Sequence, residues 1–182
     1  VHGQPQIVIN DSATAAALTT LDGKTTVAVT ASAVTSISGT ATEVKAAYTA
    51  DANGTIVLDG DEAVSVSGTV SVADADIISG KTSGVVTATI ATGSYADLNA
   101  LNETNNAYAL TLNETLTVAQ ADALDAKTTG VVTATLSTGD IATLAGLNGT
   151  GNAYTVTVTD TSATASALTT LDGKTTVAVT AS

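Results

Sequence analysis

Apolar and polar residues alternate strictly in several short stretches of the chain. In one of them Val86, Ala88 and Ile90 are separated by Thr87 and Thr89. A period of two residues is typical of a β-strand with one buried face. The same pattern occurs around residues 27–29, 56–58, 86–90, 108–112, 132–136, 154–158 and 177–179. We therefore expect strands at these places, with an apolar inner face and an outer face rich in Thr.

A second pattern, with apolar residues three positions apart, lies between the strands. It occurs in the pairs Leu98 and Leu101, Leu144 and Leu147, and Leu168 and Leu171. This spacing on good helix formers predicts short helices. Thr117 and Gln120 form a capping-box pattern, so a helix of two to three turns should follow Thr117. The turns at residues 21–24 and 148–149 contain Gly or Asn, which tolerate positive φ, and we expect helices to end there.

The sequence repeats itself with nested periods. Residues 12–32 recur as residues 162–182 (162 − 12 = 150), with Ser166 in place of Ala16 as the only change. Residues 69–114 resemble residues 115–160 (115 − 69 = 46), and each block divides into two units of about 23 residues. Self-similarity at such a period is the signature of a repeat architecture, in which each unit packs against its neighbours.

The expected fold is therefore an α/β solenoid, a right-handed coil of strand, turn and short helix with a parallel sheet. An all-β parallel solenoid, in which the helical segments are further short strands, is the alternative. Residues 1–9 form a non-repetitive N-terminal segment, and residues 10–182 form one solenoid. Its units are approximately 10–32, 33–68, 69–91, 92–114, 115–137, 138–160 and 161–182. Residues 60–68 are extra relative to the unit, and we expect them, with the turn at residues 51–55, to be surface excursions.

Composition narrows the class of protein further. The 182 residues have 44% apolar content but no Phe, Trp, Met or Cys, and all five basic residues are Lys. The formal net charge of −12 and the absence of Arg argue against nucleic-acid binding. No apolar run reaches the length of a membrane span. A chain that is acidic, rich in Thr and free of Cys suits a bacterial secreted or surface protein.

Units such as KTSGVVTATI and ADALDAKTTGVVTATL resemble the Ala/Thr/Asp-rich tandem-repeat regions of very large bacterial secreted or cell-surface proteins of the adhesin-like, RTX-associated kind. The resemblance covers the chain from about Asn10 onward and rests on composition and repeat style. It implies an extended spacer, adhesive stalk or surface filament, located outside the cell. The nonapeptide G-G-x-G-x-D of RTX proteins is absent.

Catalytic chemistry has few candidates in this sequence. His2 is the only histidine and lies in the N-terminal segment, so neither a Ser-His-Asp arrangement nor a His-based zinc site can be built. There is no thiol nucleophile and no phosphate-binding Gly-rich loop. We expect no enzymatic activity and no required cofactor; paired carboxylates of the glycosidase kind are the remote alternative.

The densest acidic cluster consists of Asp59, Asp61 and Glu62, which flank Gly60. Hard oxygen ligands on a Gly-containing loop are what Ca²⁺ requires, so these three residues are candidate calcium ligands. The competing interpretation is a solvated acidic turn, since the spaced ligands of an EF-hand loop are missing.

The expected function is a structural or adhesive module, an extended stalk or a self-associating filament segment. A ligand-binding solenoid is the alternative, with calcium, a glycan or ice bound through the Thr face. The two terminal repeats are nearly identical, so we expect head-to-tail self-association of a face around Val177 and Val179 with a face around Val27 and Val29. For the same reason, any residues that follow Ser182 in a longer parent should resemble residues 33–39.

Overall fold

The computed structural model describes residues 5–181, which divide into two compact units, Val1–Thr89 and Ile90–Ser182. Short strands and short helices alternate in both units, so the fold is α/β. Because helices occupy the segments with apolar residues three positions apart, the all-β alternative is wrong.

The first unit contains six strands and three helices among its described residues. In chain order they are β1 (Ala13–Thr14), α1 (Ala15–Asp22), β2 (Val29–Thr30), β3 (Ser36–Thr40), α2 (Ala41–Ala52), β4 (Ile56–Val57), β5 (Ala63–Val70), α3 (Val72–Ser79) and β6 (Val86–Ile90). The last residue of β6, Ile90, belongs to the second unit. Strand β3 pairs in parallel with β1 and β5, and β2 pairs in parallel with β4. Parallel pairing needs a crossover connection, which the helices supply.

The second unit continues the alternation of strand and helix. Its elements are α4 (Tyr95–Leu98), β7 (Ala107–Leu116), α5 (Val118–Asp125), β8 (Val132–Leu136), α6 (Ile141–Leu144), β9 (Ala153–Thr155), β10 (Thr157–Val158), α7 (Ala165–Asp172) and β11 (Thr180–Ala181). Strand β8 pairs in parallel with β7 and β9, and β10 pairs in parallel with β11. The parallel sheet expected from the repeat is confirmed.

Side-chain caps begin all the helices of the described chain. The N-cap residue is Thr, Ser or Asp in each case, and its side-chain oxygen accepts a hydrogen bond from the third amide of the helix: Thr14, Thr40, Ser71, Ser94, Thr117, Asp140 and Thr164. The capping box predicted at Thr117 and Gln120 is confirmed. These caps matter because helices of four to twelve residues have little stability of their own.

The helix ends differ from the prediction. Gly23, expected to adopt positive φ, has φ −66° and remains in the right-handed region, where its amide donates to Thr19 O at 3.1 Å. Helix α6 ends before the Asn148-Gly149 turn, at the C-cap Ala145, which has φ −66°. The last amides therefore bond back to the preceding turn of the helix, and no left-handed residue is needed.

Residues 60–68 are not a surface excursion, contrary to expectation. Residues 63–70 form β5, in which Val64 and Val66 are buried and pair with Ile37 and Gly39 of β3. The segment has its own alternation of apolar and polar residues, so it behaves as a regular strand of the parallel sheet. The turn at residues 52–55 is exposed, as expected.

The N-terminal segment also takes part in the fold. Ile7 O accepts from Thr30 N at 2.9 Å and Ile9 N donates to Thr30 O at 2.8 Å, so residues 7–9 pair in parallel with β2. Val29 is fully buried. The expected docking face around Val27 and Val29 is therefore corrected: only Val27 is exposed, and the edge of β2 already has a partner.

The core consists of Val, Leu, Ile and Ala from both kinds of element, together with Tyr48, Tyr108 and Tyr154. In β6 and β8 buried and exposed residues alternate without exception, as the period of two predicted. Among the described residues, no helix combines the length and apolar character that crossing a membrane requires.

Candidate functional site

The acidic cluster lies between β4 and β5, where the chain turns through Gly60. Asp59, Asp61 and Glu62 each place a carboxylate oxygen within 4.8 Å of the others. Gly60 has φ +76°, a left-handed conformation that favours glycine and brings the residues on either side together. Within residues 5–181 this is the only group of three acidic, His or Cys side chains close enough to share a metal ion.

Glu62 differs from the other two carboxylates because it is completely buried, whereas Asp59 and Asp61 are exposed. Tyr48 donates its hydroxyl proton to Glu62 Oε1 at 2.5 Å, and Gly60 N donates to Glu62 Oε2 at 3.2 Å. Thr82 Oγ1 donates to the Glu62 carbonyl at 2.6 Å. Both side-chain oxygens are thus already hydrogen-bonded, as a buried carboxylate requires. The interpretation as a wholly solvated acidic turn is wrong for Glu62.

The electrostatics of the cluster follow from these contacts. Burial raises the pKa of Tyr48, and the hydrogen bond to Glu62 raises it further, so the phenol keeps its proton. The pKa of Asp61 is raised because its protonated form donates a hydrogen bond to the neighbouring Asp59 carboxylate and because the negative charge of Asp59 disfavours a second charge there. Two exposed carboxyls this close can share a proton or bind a hard cation.

A cation would fit the exposed side of this cluster better than the buried side. Asp59 and Asp61 offer exposed oxygens at the surface, whereas each oxygen of the buried Glu62 already accepts one hydrogen bond and has only its other lone pair to offer a cation. The arrangement therefore allows Ca²⁺ with two surface ligands, one inner ligand and water in the remaining positions.

Tyr48 and Thr82 are parts of this site that the sequence did not point to. They lie 14 and 20 residues from Glu62 along the chain, outside any spacing that a local motif would detect. Thr82 does follow Lys81 in the recurring sequence Lys-Thr. Its counterpart Thr128 donates to the Tyr108 carbonyl in the same way at 2.8 Å, so a comparison of repeats could have found this contact.

Threonines of the second unit form rows across its parallel strands. Thr135 lies beside Thr115 on one side and Thr155 on the other, and Thr133 lies beside Thr111. Ala153 takes the remaining place next to Thr133, which interrupts the second row. The rows are regular, so binding of a ligand through the Thr face stays a prediction.

A small hollow of about 230 Å³ lies between α2 and α3. Lys45 and Lys81 border it, together with the half-exposed Ile77, but Lys45 is held in an ion pair with Asp74. Of these two lysines, Lys81 is the more exposed. His2 lies outside the described residues.

No protein-family model, no curated protein and no solved structure matches this chain.

Proposed function

We propose that this chain is a structural repeat module, a right-handed α/β solenoid of units of about 23 residues, without a catalytic site. Its role would be that of an extended stalk or a self-associating filament segment of a large bacterial surface or secreted protein.

The observation that carries the proposal is the match between sequence period and secondary structure. Shifting α3, β6 and α4 by 46 residues gives the bounds of α5, β8 and α6, residue for residue (72 + 46 = 118, 86 + 46 = 132, 95 + 46 = 141). Shifting α1 by 150 residues gives α7 (15 + 150 = 165). These repeated segments thus build the same helices and, in the 46-residue blocks, the same strand again, and pairing between successive strands is the contact by which such repeats would stack.

Deleting one block tests the stacking. In a repeat stack each unit touches only its neighbours, so removal of residues 69–114 should leave a folded protein. The new junction joins Gly68 to Thr115 and recreates the original sequence pattern, because Thr115 replaces the equivalent Thr69. Circular dichroism and urea unfolding should show retained helix, a cooperative transition and a smaller m-value.

A deletion out of phase with the repeat is the matched control. Removal of residues 69–103 joins β5 to the middle of a unit and should abolish cooperative unfolding. If both deletions unfold the protein, or both are tolerated equally, the repeat stack is not the basis of the fold.

Self-association is the second part of the proposal. Val177 is exposed and Val179 half-buried, so the segment that leads into β11 presents apolar surface next to a strand edge that can pair. The charge of −12 opposes contact between copies, and salt screens it. Light scattering across a salt series should show association that increases with ionic strength, whereas a strictly monomeric protein at high salt would remove this part.

Calcium binding at Asp59, Asp61 and Glu62 is a second candidate function, favoured by the close approach of their oxygens. The raised pKa of Asp61 fixes the sign of the pH dependence. A raised carboxyl pKa stabilises the folded state at low pH, and this contribution is lost as pH rises through the folded pKa. Above it the carboxylates repel each other, and Ca²⁺ would relieve the repulsion.

Thermal unfolding with Ca²⁺ and with chelator tests this candidate. Ca²⁺ should raise the midpoint at neutral pH and lose its effect as pH falls through the raised pKa of Asp61, which lies above the usual carboxyl value of about 4, because bound protons displace the ion. Replacing Asp59 and Asp61 with Asn should remove the Ca²⁺ effect, while replacing the exposed Glu103 with Gln should leave it unchanged. An equal Ca²⁺ effect in all three proteins would point to general screening of acidic charge.

A further inference from the structure

The N-terminal repeat (residues 12–32) and the C-terminal repeat (residues 162–182) are the same sequence in two different surroundings. They differ only at Ala16 and Ser166, and their helices α1 and α7 have equivalent bounds. Any difference in burial between them therefore reports what packs against each repeat, since the side chains are the same.

One face of the repeat is buried at the N-terminal copy and open at the C-terminal copy. The exposed fraction is 1% for Leu18 and 0% for Val29 and Ala31. Their counterparts Leu168 and Val179 are half-buried, and Ala181 is exposed. Ala15 is likewise buried where Ala165 is exposed.

The opposite face shows the reverse difference. Leu171 is fully buried, whereas its counterpart Leu21 is only half-buried. Thr175 is buried and bonds to the preceding strand through the Tyr154 carbonyl at 2.7 Å, while its counterpart Thr25 is half-buried. The C-terminal repeat is therefore not loosely packed as a whole. Only one of its faces has no described segment packed against it.

Residues 33–59 are the cover of that face in the N-terminal repeat. They contain β3, α2 and β4; α2 packs on α1, and the two strands pair with β1 and β2. Val29 N donates to Thr55 O at 2.9 Å and Ala31 N to Val57 O at 2.8 Å. Thr55 Oγ1 donates to Asp22 Oδ2 at 2.9 Å.

The equivalent surface of the C-terminal repeat is a concave one. Leu168, Thr169, Asp172, Val179 and Ala181 line an open hollow of about 320 Å³. We name these five residues the C-terminal face. It holds the counterparts of the apolar contacts (Leu168, Val179 and Ala181) and of the Asp22 acceptor (Asp172) that residues 33–59 use at the N-terminal repeat.

We propose that the C-terminal face is a docking site for a strand–helix–strand segment with the chemistry of residues 33–59. Such a segment supplies an apolar strand for Val179, carbonyl acceptors for the amides of Val179 and Ala181, and a hydroxyl donor for Asp172. This inference rests on the repeat-stack function proposed above, and it names the partner of its open end.

A second copy of the chain fits the C-terminal face less well than this segment does. Among the described residues, the first strand edge that a second copy offers is residues 7–9, which already pair with β2. Pairing with residues 7–9 would supply a strand but no helix. Leu168 would therefore remain without a covering helix, whereas α2 packs on α1 in the N-terminal repeat. The strand–helix–strand segment satisfies both the strand and the helix side of the face.

The test appends the sequence of residues 33–59 directly after Ser182, as residue 33 follows Ser32 in the N-terminal repeat. Tethering removes the cost of bringing two molecules together. Hydrogen exchange should then slow at the amides of Val179 and Ala181 to the level of their counterparts Val29 and Ala31. The matched control carries a scrambled segment of the same composition and should leave exchange fast.

Equal exchange with the native and the scrambled segment would overturn the proposal. So would protection of these amides in the unextended chain that reaches the level of Val29 and Ala31 at high protein concentration, because a second copy would then fill the face as completely as the segment does. If the exchange experiment fails but the deletion of residues 69–114 still leaves a folded protein, only the docking site is rejected. The proposed repeat stack would then stand.

Discussion

Truncating the same leucine in the two terminal repeats separates the effect of packing from that of sequence. Leu18 and Leu168 occupy equivalent positions in nearly identical segments, but Leu18 is fully buried and Leu168 is half-buried. Leu→Ala at a fully buried site costs roughly 2–5 kcal/mol, because transfer energy and a residual cavity both contribute. We expect about 3 kcal/mol for Leu18→Ala and about 1 kcal/mol for Leu168→Ala, whose site is already open to water.

The reciprocal pair provides an internal control. Leu171 is fully buried and Leu21 half-buried, so the order should invert: about 3 kcal/mol for Leu171→Ala and about 1 kcal/mol for Leu21→Ala. Each compact unit thus receives one costly and one mild substitution. A difference in intrinsic stability between the units cannot produce this crossed pattern.

Urea unfolding followed by far-UV circular dichroism measures all four variants against the unmodified chain. Midpoints should shift with the free energies above while the m-value stays constant. If Leu168→Ala costs as much as Leu18→Ala, the C-terminal face is covered and the docking inference fails with it. If none of the four has an effect, the assignment of the inward helix face is wrong.

Two further predictions concern single contacts within the units. Gly130→Ala should cost about 2 kcal/mol or more in the urea assay, because the new Cβ would lie 2.4 Å from the Tyr108 carbonyl oxygen. Gly173→Ala is the control and should be tolerated, because its Cβ would lie 3.5 Å from the nearest atom, the Thr170 carbonyl oxygen. Tyr48→Phe should cost about 2–3 kcal/mol by thermal unfolding, since it removes the hydroxyl donor from the buried Glu62 carboxylate; a cost near zero would show that this hydrogen bond does not stabilise the fold.

Regular periodicity allowed the elements themselves to be predicted. The alternation in β6 and β8 and the capping box of α5 are local patterns, and a local pattern needs only the neighbouring residues to express it. The recurrence of whole blocks likewise predicted that equivalent elements would return, as α3 and α5 do.

The acidic cluster could be predicted only in part. Asp59, Asp61 and Glu62 are close in sequence, so their proximity was visible. The burial of Glu62 was not, because its partner Tyr48 comes from α2 and is brought there by the packing of the helix.

The amino-acid sequence by itself determined the repeated strand–helix unit, its Thr and Ser caps and the alternating faces of its strands, because all of these depend on neighbours within a few residues. Tertiary structure alone decided that residues 63–70 join the sheet and that residues 7–9 pair with β2. It also decided that identical repeats have different surfaces, with Leu18 buried and Leu168 open. The physical reason is that burial is a property of what packs on a residue: the same sequence is buried where a segment such as residues 33–59 covers it and open where no described residue does.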